Sequence, residues 1–128
     1  MRIDFNSVKP VYIQIAEAIE DDIISGGLAE GGAAYSQLAI AKGLNVNPAT
    51  AAKGINVLVS SGILVKQRGS SMAVAYGAAD RLLRERRERG FKRLVGSLVD
   101  EAVKLKITEG EVIGAVREYY KGLEVKDE

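Results

Sequence analysis

The chain has 128 residues, enough for one domain, or for a small domain with an appendage. A composition of 47% hydrophobic and 27% charged residues is globular rather than disordered, and no apolar run approaches the length of a bilayer span. Cysteine and histidine are both absent, which removes disulfides, thiolate nucleophiles, Cys-ligated zinc and the commonest general base, and argues against an enzyme. The opening MRIDFNSVKP carries an acidic residue and no apolar segment, so a secretory signal is not expected and a cytoplasmic location is.

The net charge of +1 divides unevenly along the chain. Residues 1–35 sum to −4, residues 36–79 to +4 with no acidic residue, residues 80–94 to +4 and residues 95–128 to −3. A long stretch emptied of carboxylates suggests a surface facing a polyanion. Its richness in Ala, Gly and Ser offers an equally plain explanation.

Pro10 to Ser25 is expected to be helical, with Pro10 at the first position and Val11, Ile15, Ile19 and Ile23 recurring every fourth residue. Tyr12 and Ile24 flank that stripe, while Glu17, Glu20 and Asp21 fall elsewhere, and Gly26-Gly27 ends the helix. Ser36 caps a short second helix through Ile40 and Lys42, stopped at Gly43. Pro48 disfavours helix at Asn47, so Asn47 becomes the cap and Pro48 the first residue of a third helix running to Ser61. Ala51, Ile55, Leu58 and Val59 form its apolar face, and Gly62 stops it. Ile63-Leu64-Val65 reads as a strand, Arg68 to Ser71 as a turn, and Met72 to Tyr76 as the returning strand. Helix, helix, tight turn, helix and hairpin is the winged helix-turn-helix order.

The remainder reads as helical: one long helix from Ala78 to Lys106, then a last helix opened by a Thr108/Glu111 capping box. The expected class is thus mostly α with a small β-hairpin (α+β), as a winged helix-turn-helix over residues 1–77 and a two-helix module over 78–128. Two helices alone cannot cover both apolar stripes, so a second copy of the chain is expected to do so, giving a homodimer. Phe91, Leu94, Leu98, Ala102, Val116 and Tyr120 are the expected interface residues. The charges between Arg81 and Arg93 read either as a cationic face or, through Glu85 with Arg89 and Glu88 with Lys92, as a solvated helix. Gly26-Gly27 and Gly31-Gly32 lack the Lys-Ser/Thr of a phosphate loop, and Glu20, Asp21 and Asp22 diverge around a helix, so neither a cofactor nor a metal is expected.

Several short motifs resemble the GntR family of bacterial transcription regulators, in particular the YtrA subfamily. Ser7, Pro10, Val11, Tyr12, Gln14 and Ile15 match the family's opening, and Ser25, Gly26, Leu28 and Gly31 its next motif. Leu44, Val46, Asn47 and Thr50 match the turn into the third helix, with Asn45 where a Gly is usual, and Leu58, Gly62 and Ile63 follow in register. The helix pair joined at Leu105 to Thr108 resembles the subfamily's dimerisation module. Two motifs depart from the family. Ala34, Tyr35, Ser36, Gln37 and Leu38 stand where Leu-Pro-Ser-x-Arg is usual, so the phosphate-gripping Arg is replaced by Leu38. Gly69, Ser70, Ser71, Met72 and Ala73 stand where the wing commonly reads Gly-x-Gly-Thr-Phe.

The resemblance implies a DNA-binding regulator, as a repressor on a pseudo-palindromic operator. Ser36, Asn47, Thr50, Lys53, Lys66, Arg68, Gly69 and Ser70 are its expected DNA-contacting residues. A degenerate winged helix serving as a protein scaffold is the other reading. The module is too small to enclose a metabolite within one subunit, so a small-molecule effector, if one exists, would sit between domains or subunits.

Overall fold

The computed structural model describes residues 1–69 and 71–126. The chain divides into two compact units, Met1–Glu85 and Arg86–Glu128.

The first unit opens with α1 (Val11–Ser25), which buries Ile15, Ala16, Ile19 and Ile23 and ends where Gly26 adopts φ 88°. Pro10 stands just outside the helix with ψ 145°, one position before the expected place, and its carbonyl accepts from Ile13 and Gln14. Gln14 ties the preceding arm to α1. Its Nε2 donates to the carbonyls of Asp4 and Lys9 at 2.9 Å each, and its Oε1 accepts from the Asp4 N–H at 2.8 Å.

Helices α2 (Gln37–Leu44) and α3 (Pro48–Ser60) follow. Gly43 does not stop α2. The helix continues to Leu44, and Asn45 takes the left-handed conformation at φ 52° where the family uses glycine. Ala51, Gly54, Ile55 and Leu58 form the buried face of α3, which crosses α1 closely at Gly54.

Strand β1 (Leu64–Lys66) pairs antiparallel with β2 (Met72–Val74), in the register Leu64 with Val74 and Lys66 with Met72. β1 has its expected length but begins one residue later, and β2 stops at Val74, short of the expected Tyr76. Ile63 is buried just before β1, and its carbonyl accepts from the Ala75 N–H at 2.9 Å. The segment 31–34 lies along the far edge of β2. Gly31 and Ala34 donate to the carbonyls of Val74 and Met72, and Val74 donates back to Gly32. Gly31 needs φ 77° there, and a Cβ on it would collide with the Tyr76 ring.

Helix α4 (Ala78–Glu85) closes the first unit. Ala78 and Leu82 join the core of Ile15, Ile19, Ile23, Leu58, Ile63, Leu64 and Val74. Glu30 Oε1 accepts from the Ala79 N–H at 3.0 Å, and the Arg81 guanidinium donates to the Ser61 carbonyl beside Gly62. The break between units therefore falls after Glu85, eight residues beyond the expected boundary at 77, because α4 is anchored in the winged-helix core.

The long helix expected over 78–106 is interrupted. A single π-helical turn, Arg86–Gly90, separates α4 from α5 (Phe91–Lys104). The turn out of α5 is a Schellman motif: Ile107 N–H donates to Ala102 at 2.8 Å and Lys106 N–H to Val103 at 3.2 Å, with Lys106 left-handed at φ 58°. Thr108 Oγ1 then accepts from the Glu111 N–H at 3.2 Å and caps α6 (Glu109–Lys126). Among the described residues no helix is long and apolar enough to cross a membrane.

Candidate nucleic-acid interface

The residues expected to act together fall at two places on the first unit. The first is where α2 and α3 begin. Ser36 is extended (φ −76°, ψ 154°), and its Oγ accepts from the Ala39 N–H at 3.1 Å. Asn47 is extended in the same way, and its Oδ1 accepts from the Ala49 N–H at 2.8 Å. Both caps follow from residue type, since a short side-chain acceptor satisfies an amide that the helix cannot. Gln37 joins the two helix starts: its Nε2 donates to the Pro48 carbonyl at 3.1 Å. Thr50 is half-buried one turn into α3, and Lys53 is exposed one turn further.

Lys53 is not an unattached cation. Its Nζ sits 4.2 Å from the centroid of the Tyr12 ring on α1, a cation–π contact. In the sequence Tyr12 lies at the margin of the α1 stripe, and nothing in the spacing links two residues forty-one positions apart. Gln37 is as weakly marked in the sequence. Its one signal was its position next to a cap.

The second place is the hairpin. Lys66 ends β1 and is exposed, as are Arg68 and Gly69. Gln67 N–H donates to the Ser71 carbonyl, and Ser71 Oγ donates to the Arg68 carbonyl, both at 3.1 Å, with Gly69 at φ 76° in the turn. Ser70, expected at the tip, lies outside the described residues. No residue from 36 to 79 is acidic, so the cations Lys42, Lys53, Lys66 and Arg68 meet no carboxylate from their own stretch of chain.

Leu38, where the family has Arg, is 73% exposed. It is a surface residue of the first turn of α2 and not part of the core. Tyr35, just before the Ser36 cap, donates to Asp22 Oδ2 at 2.7 Å. That hydrogen bond, then burial, then the Asp22 charge hold the phenol above its ordinary pKa. Of the arginine cluster, Arg81 is committed to the end of α3 through Ser61.

In the second unit Phe91, Leu94, Leu98, Val116 and Tyr120 are all exposed in the single chain, by 41% to 70%. Ala102, grouped with them from its spacing, is already buried at the C-terminal end of α5 and offers no open surface.

No protein-family model matches the sequence, and no curated protein matches it. Solved structures do. A GntR family transcriptional regulator from Listeria monocytogenes is 26% identical, with a TM-score of 0.73 over 89% of this chain and 98% of its own. YtrA from Sulfolobus acidocaldarius, described as a GntR-family transcription factor, shares the fold at 24% identity and a TM-score of 0.56 over 97% and 99% of the two chains. BusR of S. agalactiae, solved with its busA-promotor DNA, is 26% identical with a TM-score of 0.54; the match covers 87% of this chain and 57% of BusR. In fold and element order the chain is similar to these winged-helix regulators of the GntR family, the short YtrA among them.

Proposed function

We propose that the chain is a sequence-specific DNA-binding transcription regulator, a homodimer that represses from a pseudo-palindromic operator. One observation carries the reading: the helix-turn-helix and its hairpin present cations, helix-capping polar groups and no carboxylate over residues 36–79. In this reading α3 enters the major groove, the caps Ser36 and Asn47 face phosphates, and Lys66 and Arg68 follow the backbone from the hairpin. Two copies of α3 then meet half-sites about one helical turn apart, or a multiple of it. BusR, similar in fold, is solved with its promoter DNA, and that supports DNA binding.

The replacement of the family's Arg by an exposed Leu38 favours a second reading, a winged helix that has become a protein scaffold. Selection of bound sites from random duplexes, followed by binding at increasing salt, separates the two. A regulator enriches a two-fold-related sequence and loses affinity steeply with salt. A chain that enriches nothing and holds no duplex at low salt is a scaffold.

A further inference from the structure

Where α2 and α3 begin, several of the groups that could read base edges by hydrogen bonding are engaged within the chain, and Thr50 is half-buried. Ser36 Oγ and Asn47 Oδ1 each hold a backbone amide of their own helix, at 3.1 and 2.8 Å. Gln37 Nε2 is held on the Pro48 carbonyl, and Lys53 Nζ on the Tyr12 ring. Three residues that lie open beside these groups are apolar. Leu38 is 73% exposed on the first turn of α2, and Pro48 and Ala49 are exposed on the first turn of α3. The Gln37 bond to Pro48 brings these two turns together.

Exposed apolar residues on two adjoining helix starts offer a contact surface. The surrounding stretch carries four cations and no acid, which suits a polyanion rather than an apolar protein surface. On the floor of the DNA major groove, the apolar group that distinguishes one base from the rest is the thymine 5-methyl. We propose that Leu38, Pro48 and Ala49 read thymine methyl groups, so that the chain selects T-containing half-sites by apolar contact where hydrogen-bonding readers would use Arg, Asn or Gln. This rests on the DNA-binding reading above and names how that site chooses its sequence. Phosphate contacts from the hairpin supply affinity, and the methyl contacts supply choice.

The test uses the full-length chain and the duplex obtained by selection from random sequence. Each thymine of a half-site is replaced in turn by deoxyuridine, which removes the methyl and leaves every hydrogen-bonding edge intact. Affinity is expected to fall about three- to fivefold at one or two positions, the effect of one buried methyl. At such a position Leu38→Ala or Ala49→Gly should shrink the thymine-to-deoxyuridine ratio towards one. Leu38 is exposed, so Leu38→Ala leaves the fold intact and keeps the test decisive. Equal affinity for thymine and deoxyuridine duplexes at every position overturns the proposal and leaves DNA binding standing. A methyl effect unchanged in both variants also overturns it, by assigning the contact to other residues. Failure to select any duplex removes the DNA-binding reading itself, and this inference with it.

Discussion

Gly54 shows how closely a single side chain can be specified. A Cβ built on it lies 2.9 Å from both Ile15 Cγ2 and the Tyr12 carbonyl, so α1 and α3 cross at a distance that only glycine permits. Gly54→Ala, a substitution that helix propensity alone would favour, is expected to destabilise the first unit by about 1–3 kcal/mol, read as a lower urea midpoint at unchanged slope. Tyr35 makes a different argument. Its folded pKa is raised, so its contribution is complete below the unfolded value near 10 and is lost as the pH climbs through the higher folded value. The stability gap between the parent and Tyr35→Phe should be at most about 1 kcal/mol at neutral pH, since the pair is partly solvated, and should close above pH 10. Thermal melts of both proteins across that range check the sign. Neither residue was legible as special in the sequence. Gly54 reads as a weak helix residue and Tyr35 as a departure from the family, because the partners that explain them lie in other elements.

At the level of elements, residue pattern and structure agree where a local rule operates. The fourfold spacing of isoleucines made α1, the Asn47-Pro48 pair started α3, and Thr108 with Glu111 capped α6. The C-terminal end of α5 is a place where the rule was met with an unsuitable residue. Lys106 holds φ 58° in a Schellman turn that glycine fills without strain. Lys106→Gly should therefore raise stability by up to about 1 kcal/mol, measured as a higher melting temperature with unchanged helix content. At the start of α2, Leu38→Arg restores the family's charge on a surface position. In the DNA-binding reading it adds a phosphate contact per subunit, and the salt slope of binding by the dimer should steepen by about 2. Because Leu38 is exposed, the melting temperature should stay where it was, and a folded variant with an unchanged slope would mean that the side chain at this position reaches no phosphate. The π turn at Arg86–Gly90 leaves no mark in the sequence, since it inserts into a helical pattern without changing its composition.

For the whole molecule, the question is what covers the second unit. Among the described residues α5 and α6 make little close contact with each other, and Phe91, Leu94, Leu98, Val116 and Tyr120 remain exposed. Exposed apolar surfaces of this size on a short chain are suited to contact with a partner. In the dimer reading, Leu98→Asp would place an uncompensated charge there and should convert the dimer to monomer in sedimentation, with the first unit still folded. A parent chain that is monomeric at micromolar concentration would overturn the dimer. Because the two units each hold their own contacts, loss of assembly should appear as loss of operator affinity rather than loss of the winged-helix melt.

By itself the sequence determined the order of helices and strands, though not the π turn that divides α4 from α5, because helix periodicity, caps and turn residues act over a few neighbouring positions. It also determined the acid-free stretch from 36 to 79, which needs only counting. The tertiary structure alone decided what those elements do to one another: the Lys53 ammonium on Tyr12, Gln37 bridging to Pro48, Arg81 closing α3, and the edge at 31–34 that widens the hairpin. It also decided that Leu38 lies outside and Ala102 inside. These are contacts between residues distant in the chain, or burial set by such contacts, and no periodicity along a single element encodes them.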